Sequence, residues 1–140
     1  MDVRPYRPGD EAAVVALWTT CFPDARPWSQ PREVIRRKLE LQGDLLLVGT
    51  LEGRLVATVV AGYDGHRGWI YHLAVAPECR REGLGTRMME EAEARLRALG
   101  CPKINLQVRA TNRAVVGFYE RLGFEVEERI SMGKRIEGAG

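Results

Sequence analysis

Three β-rich runs follow one another in the middle of the chain, between positions 44 and 76. The first two, in "DLLLVGTLEGRLVATVVAG", are separated only by Glu52-Gly53, which is the pattern of a short hairpin. The third, "GWIYHLAVA", follows the polar loop at residues 63–67. Strands this close in sequence usually pair with one another, so the sequence predicts a sheet at the centre of the fold.

Segments with helical spacing flank these runs. Val14, Leu17 and Trp18 share one face of a helix that we expect to begin after an N-cap at Asp10. The other predicted elements are a first strand near residues 3–6, helices over 31–43, 84–99 and 112–122, and strands over 103–109 and 124–136. The predicted order is therefore β-α-α-β-β-β-α-β-α-β, an α/β (α+β) fold.

Length and charge limit the class of protein. The 140 residues suit a single domain, which we expect at residues 1–136 with a flexible tail at 137–140. The net charge of +2 argues against nucleic-acid binding, and no apolar run approaches the roughly 18 to 20 residues of a membrane span.

The N-terminus lacks the apolar region of a secretory signal, so we expect a cytoplasmic location. Cys21, Cys79 and Cys101 lack metal-site spacing, which predicts reduced thiols and no metal.

The stretch "PECRREGLGTRMM" stands where the third β-rich run gives way to a helix. A helix N-terminus offers unpaired N–H groups and the positive end of the helix dipole. Gly83 and Gly85 open the backbone to close approach, while Arg80 and Arg81 add positive charge. The stretch therefore predicts a phosphate site, although it has neither the G-K-[ST] of a P-loop nor a dinucleotide G-x-G-x-x-G.

Two signatures carry a resemblance to a known family. "RREGLG" at positions 80–85 matches the R/Q-x-x-G-x-G/A motif of the GNAT superfamily of N-acetyltransferases at every defined position. "NRAVVGFYERLGF" resembles the family's downstream N-x-x-A-x-x-F/L-Y-x-x-x-G-F motif, with Val115 at the usual alanine position. "RPWSQP" and "GYDGHRG" further resemble segments of the small single-domain bacterial YpeA-like group. The resemblance implies the GNAT fold, a central mixed, mostly antiparallel twisted sheet of six to seven strands flanked by about four helices.

The resemblance also implies how acetyl-CoA is held. In the family, the strand before the turn bends at a bulge, and its backbone hydrogen-bonds the pantetheine arm. The amide of Val75 would polarise the thioester carbonyl, which is an oxyanion-hole role. The implied cofactor-binding residues are Leu73, Ala74, Val75, Arg80, Arg81, Gly83, Leu84, Gly85, Thr86, Asn112 and Tyr119.

The implied reaction is direct attack of a primary amine on the acetyl group of acetyl-CoA in a ternary complex, with CoA as product. Tyr119 matches the tyrosine that protonates the departing thiolate as general acid. Gln107 stands where some relatives carry a glutamate, and it cannot act as a base. His66, beside Asp64, is a candidate base that would act through water, and a plain turn around Asp64 is the alternative. A packed histidine is the preferred interpretation of His72.

The acceptor is expected to be a small-molecule amine or a peptide or protein N-terminus. The residues expected around it are Trp28, Glu33, Tyr63, Asp64, Tyr71 and Gln107. Dimers are common in the family, so a homodimer is compatible with the resemblance. Two other hypotheses are a catalytically weak acyl-CoA-binding sensor or interaction module, which Gln107 favours, and an arginine-rich nucleic-acid binder, which the near-neutral charge disfavours.

Overall fold

The computed structural model describes residues 1–136. Contacts within them define two compact units, Met1–Leu106 and a second that begins at Gln107. The tail predicted at 137–140 lies outside the described residues. Among residues 1–136, no helix is both long enough and apolar enough to cross a membrane.

The first unit combines a sheet with helices, as the sequence predicts. Its strands are β1 (Asp2–Pro5), β2 (Leu46–Leu51), β3 (Arg54–Tyr63), β4 (Gly68–Val75) and β5 (Ile104–Leu106). Its α-helices are α1 (Glu11–Cys21), α2 (Pro31–Glu40) and α3 (Leu84–Ala98). Short 3-10 turns lie at Pro8–Asp10, Pro27–Ser29, Gly43–Leu45 and Pro77–Cys79. The predicted order of elements is confirmed over this unit.

The order of strands in the sheet follows their order in the chain, β1-β2-β3-β4-β5. Strands β1 to β4 pair antiparallel, whereas β5 runs parallel to β4. Between β2 and β3, Glu52 has φ of 49° and Gly53 has φ of 80°. Two adjacent left-handed residues are what a tight hairpin turn of the primed type requires. The mixed, mostly antiparallel sheet and its central hairpin are therefore confirmed.

Helices cover both faces of this sheet. The indole of Trp18 on α1 reaches Thr58 of β3, which pairs with Val48 of β2. Met88 of α3 lies beside Gly49, the next residue of β2, and successive residues of a strand point to opposite faces. Thus α1 and α3 lie on opposite faces. Burial on both sides explains why β2 and β3 are almost continuously apolar.

The second unit contains α4 (Val116–Arg121), which follows a 3-10 turn at Arg113–Val115. Gly123 has φ of 96°, and its amide and that of Phe124 bond back to the carbonyls of Glu120 and Tyr119. This pattern ends a helix at a left-handed glycine. The helix predicted over 112–122 is therefore present in a shorter form.

Two strand predictions need correction. The strand predicted over 124–136 is wrong, and the described residues form five strands, not six to seven. Val126, Ile130 and Met132 are 79%, 92% and 91% exposed. Strand propensity acts mainly through packing on a neighbouring strand, and these side chains gain no such burial in their unit. The strand predicted over 103–109 is limited to Ile104–Leu106.

Asp10 precedes α1 as predicted, but its carboxylate does not cap that helix. It accepts hydrogen bonds from the Arg4 guanidinium at 2.8 and 3.0 Å and from the Arg7 amide at 2.8 Å. The bond from Arg4 is the main cause that holds the pKa of Asp10 below its ordinary value. Asp10 therefore ties β1 to the turn before α1.

We expect Asp10→Asn to lower the free energy of unfolding by about 1–2 kcal/mol at neutral pH, because it removes a charged hydrogen-bond acceptor. The folded-state pKa of Asp10 is depressed, so its stabilisation is present above the unfolded-state value of about 4. That stabilisation is lost as the pH falls through the folded-state pKa. Urea denaturation from neutral to acidic pH should therefore show the two proteins converging.

The matched control is Glu11→Gln, which breaks an exposed ion pair with Arg32. It should cost less than about 0.5 kcal/mol. Equal losses in the two variants, or a loss in Asp10→Asn that is independent of pH, would contradict the prediction.

Candidate functional site

Strand β4 carries a bulge in the middle of its pairing with β3. The register shifts between Thr58 and Val60, so that two residues of β4, His72 and Leu73, face one residue of β3. His72 has φ of 49°, a left-handed conformation that residues other than glycine rarely adopt. The resemblance implied a bulge in this strand, and the structure has one here.

Beyond the bulge, Val75 turns its backbone polar groups away from β3. The amide of Ala76 donates to the carbonyl of Val56 at 2.8 Å, and hydrogen-bonded pairs alternate along antiparallel strands. The N–H and C=O of Val75 therefore point to the other edge of β4. Within the described chain, β5 pairs with β4 only at residues 68–70, so it does not cover that edge at Val75.

Two side chains reach the carbonyl of Val75. The thiol of Cys21 lies 3.6 Å from this oxygen, and Nε of Arg80 lies 3.3 Å from it. Arg80 is thereby placed where the strand edge meets the following turn. Nothing in the sequence pattern marks Cys21 for this position, because the end of α1 reaches β4 only through the fold.

The turn between β4 and α3 leaves a helix start open. Gly83 precedes α3 with φ of 78°, and nothing lies within 4 Å of the position that its Cβ would take. Arg81 is also left-handed, with φ of 67°. In the described residues no side chain caps α3, and the first four N–H groups of a helix lack partners within it. Together with the exposed Arg80 and Arg81, these N–H groups fit a pyrophosphate.

Tyr119 lies on α4 in the second unit. Its ring meets those of Phe118 and Phe124 edge to face, with centroids 5.0 and 5.8 Å apart. Burial raises the pKa of the Tyr119 phenol above its ordinary value. The phenol is therefore protonated at neutral pH, as a proton donor must be. In the same unit, Asn112 precedes the 3-10 turn and Gln107 donates to the Ser131 hydroxyl.

The loop between β3 and β4 is organised around Asp64. Its carboxylate accepts the amides of Arg67 and His66, each at 2.8 Å, and Gly65 is left-handed with φ of 92°. These backbone bonds, with Arg67 first, hold the pKa of Asp64 below its ordinary value. The Tyr63 hydroxyl donates to the Gly65 carbonyl at 3.3 Å. The hydrogen bonds of the carboxylate thus stabilise the turn itself. His66, in the same turn, is exposed.

Three of the residues expected on the acceptor side lie on α2 (Glu33), on the loop before it (Trp28) and on β4 (Tyr71). Glu33 accepts a hydrogen bond from Arg36 at 2.8 Å, which holds the pKa of Glu33 below its ordinary value, and Arg37 lies 3.8 Å away. Trp28 is 47% exposed and Tyr71 is 52% exposed. Both aromatic side chains therefore offer apolar surface to solvent, whereas the charge of Glu33 is already paired.

His72 is packed, as the sequence favoured. Its ring centroid lies 4.4 Å from that of Trp18 and 5.3 Å from that of Phe22. Burial lowers the pKa of His72 to about 4, and its Nδ1 has no hydrogen-bond partner among the described residues. The ring is therefore neutral at pH 7. Within residues 1–136, no group of three His, Cys, Asp or Glu side chains could hold a metal ion.

The sequence matches the family described as the acetyltransferase (GNAT) family over residues 12–124. It is 44% identical to an acetyltransferase of Pectobacterium atrosepticum over 136 residues, which are 97% of this chain and 96% of that protein. It is 41% identical to an acetyltransferase of Yersinia enterocolitica, with the same coverage of both chains. The chain belongs to the GNAT acetyltransferase family.

Solved structures share the fold at lower identity. Ard1 from Thermoplasma volcanium has a TM-score of 0.79 and 23% identity, over 90% of this chain and 83% of that chain. The structure of AAC(6')-Iy with a bisubstrate analogue has a TM-score of 0.77 and 16% identity, over 96% of this chain and 97% of that chain. These likenesses confirm the GNAT fold.

We expect Gly83→Ala to lower the free energy of unfolding by about 1 kcal/mol, although the new methyl group has space. The cost arises because an L-residue is strained at this left-handed φ. Urea denaturation measures it. Gly9→Ala is the control, since its site is equally open and its φ lies outside that region. Gly9→Ala should be neutral or stabilising by up to about 1 kcal/mol, and a loss equal to that of Gly83→Ala would count against the argument.

Proposed function

We propose that this protein transfers the acetyl group of acetyl-CoA to the nitrogen of a primary amine by direct attack in a ternary complex. One observation carries the proposal: the outward edge of β4 at Val75 leads through a single turn to the open start of α3. An extended ligand could hydrogen-bond along the strand edge while its anionic end meets the helix N-terminus. CoA has both parts in this order, because its extended pantetheine arm leads to its anionic pyrophosphate.

The donor site would be built mainly from backbone. Amides at the start of α3 would hold the pyrophosphate, and Arg80 and Arg81 would add charge-assisted hydrogen bonds. The N–H groups of Leu73 and Val75 would line the arm, with that of Val75 facing the carbonyl oxygen as an oxyanion contact. When bound, acetyl-CoA supplies a thioester whose carbonyl carbon accepts the amine.

Two proton transfers in the proposed reaction require side chains: one to the departing thiolate and one from the attacking amine. Tyr119 is the proposed general acid for the departing thiolate, and its raised pKa keeps that proton in place at neutral pH. An ordinary amine of pKa near 10 must lose a proton before it attacks, so a base is needed. His66, acting through water, is the proposed base. Because Asp64 bonds the backbone, His66 would act without a carboxylate to orient it.

The acceptor is proposed to be a small-molecule amine or a peptide N-terminus. Relatives at 41–44% identity are named acetyltransferases. AAC(6')-Iy, an aminoglycoside N-acetyltransferase, was solved with the bisubstrate analogue CoA-S-monomethyl-acetylneamine. Trp28 and Tyr71 are proposed to contact the acceptor, since both present exposed aromatic surface.

Isothermal titration of ligand-free protein with acetyl-CoA tests the donor half of the proposal, with ATP and NAD as controls. Micromolar or tighter binding of acetyl-CoA alone is expected. No binding by folded protein would contradict the proposal. Binding without turnover across a panel of amines and peptides would instead favour the sensor hypothesis.

We expect Tyr119→Phe to lower kcat by about 10²- to 10⁴-fold while the affinity for acetyl-CoA stays near that of the wild type. The reason is that phenylalanine keeps the ring packing but has no proton to donate. Steady-state kinetics and titration together measure the two effects. Tyr6→Phe, which removes a phenolic hydroxyl outside both sequence signatures, should leave kcat unchanged. An unchanged kcat in Tyr119→Phe would remove the general-acid role.

A further inference from the structure

The bulge in β4 is held by two consecutive hydrogen bonds, here called the Trp18–Thr58 relay. Nε1 of Trp18 donates to Oγ1 of Thr58 at 2.8 Å, and this hydroxyl donates to the carbonyl of His72 at 3.0 Å. An indole N–H can only donate, so the hydroxyl accepts from Trp18 and keeps its own hydrogen for His72. The direction of both bonds is thereby fixed.

Both side chains of the relay are shielded from water. Trp18 is 1% exposed and Thr58 is 0% exposed, so solvent cannot replace either bond. The rings of Trp18 and Phe22 also pack against that of His72. These contacts offset the strain of the left-handed backbone at His72.

The relay acts on the peptide unit that faces the donor site. The carbonyl of His72 and the N–H of Leu73 belong to one planar unit, and the described residues contain no cis peptide bond. In a trans peptide the two groups point in opposite directions, so a carbonyl held toward Thr58 aims the N–H of Leu73 away from Thr58.

The bulge also determines the direction of Val75. Without the extra residue of the bulge, every later residue of β4 would shift by one position in its pairing with β3. Backbone groups that point toward β3 would then point away from it, and the reverse. The N–H of Val75, which now points away from β3, would then turn toward it.

We propose that Trp18 and Thr58 are positioning residues for acetyl-CoA binding: their relay holds the bulge that turns the amides of Leu73 and Val75 toward the arm of the donor. Neither side chain touches the donor, and each acts through the backbone of β4. This inference rests on the proposed function.

The test compares Thr58→Val with Thr58→Ser. Valine keeps the shape of threonine but removes the hydroxyl, which leaves the Trp18 N–H and the His72 carbonyl unpaired. Thr58→Val should raise the dissociation constant for acetyl-CoA about tenfold, whereas Thr58→Ser, which keeps the hydroxyl, should stay within about threefold of the wild type. Titration calorimetry gives the affinities, and circular dichroism confirms folding at the same temperature.

Ile35→Ala is the matched control for lost stability, because Ile35 is a core residue of α2, 4% exposed and outside the relay. It should lower the melting temperature and leave the affinity unchanged. Wild-type affinity in folded Thr58→Val, or equal weakening in Thr58→Ser, would overturn the inference while the proposed function stands. If the wild type itself binds no acetyl-CoA, the proposed function fails instead.

Trp18→Phe is the second variant if Thr58→Val does not fold. It keeps a six-membered aromatic ring that can pack against His72 and removes the pyrrole ring of the indole with its N–H. It should weaken acetyl-CoA binding by about threefold or more. Unchanged affinity in this variant would overturn the inference.

Discussion

A single extra residue in β4 sets the direction of the backbone groups on which the proposed donor site depends. His72 and Leu73 face one residue of β3, and from that point the alternation of inward and outward N–H groups is displaced by one. Val75 consequently turns its N–H and C=O away from β3, and β5, which pairs at residues 68–70, does not cover them. The chain then passes from β4 through one turn into α3, so the open strand edge is followed directly by the open helix start.

The hydrophobic core is hydrogen-bonded to the bulge of β4. Trp18 and Thr58 are among the most buried side chains, yet their hydrogen bonds end on the carbonyl of His72 in the bulge. If the proposed positioning role holds, a substitution in this part of the core changes the backbone of β4 as well as stability. The proposed donor site uses mainly N–H groups, which every residue except proline can supply. Only glycine at a left-handed position, as at residue 83, leaves a clear trace in the sequence.

Features with local causes could be predicted from the sequence, whereas features with tertiary causes could not. The Glu52-Gly53 hairpin, the start of α3 after Gly83 and the helix end at Gly123 follow from the backbone preferences of a few adjacent residues. The apolar alternation over 124–136 also suggested a strand, but a strand needs a neighbour against which to pack. The carboxylate of Asp10 binds Arg4 of β1 instead of capping the helix that it precedes. No sequence pattern predicts this ion pair.

The proposed donor and acceptor sites differ in how far the sequence defines them, and the difference has a physical cause. Among the residues proposed for the acceptor side, Glu33 has its carboxylate paired with arginines of its own helix, and Asp64 has its carboxylate bonded to amides of its own turn. Neither is placed as a ready counter-charge for a cationic amine. What the first unit presents there is aromatic surface, on Trp28 and Tyr71. An aromatic face accepts cations and ligands of many shapes, so in the proposed site it would constrain the acceptor much less than strand and helix amides would constrain the donor.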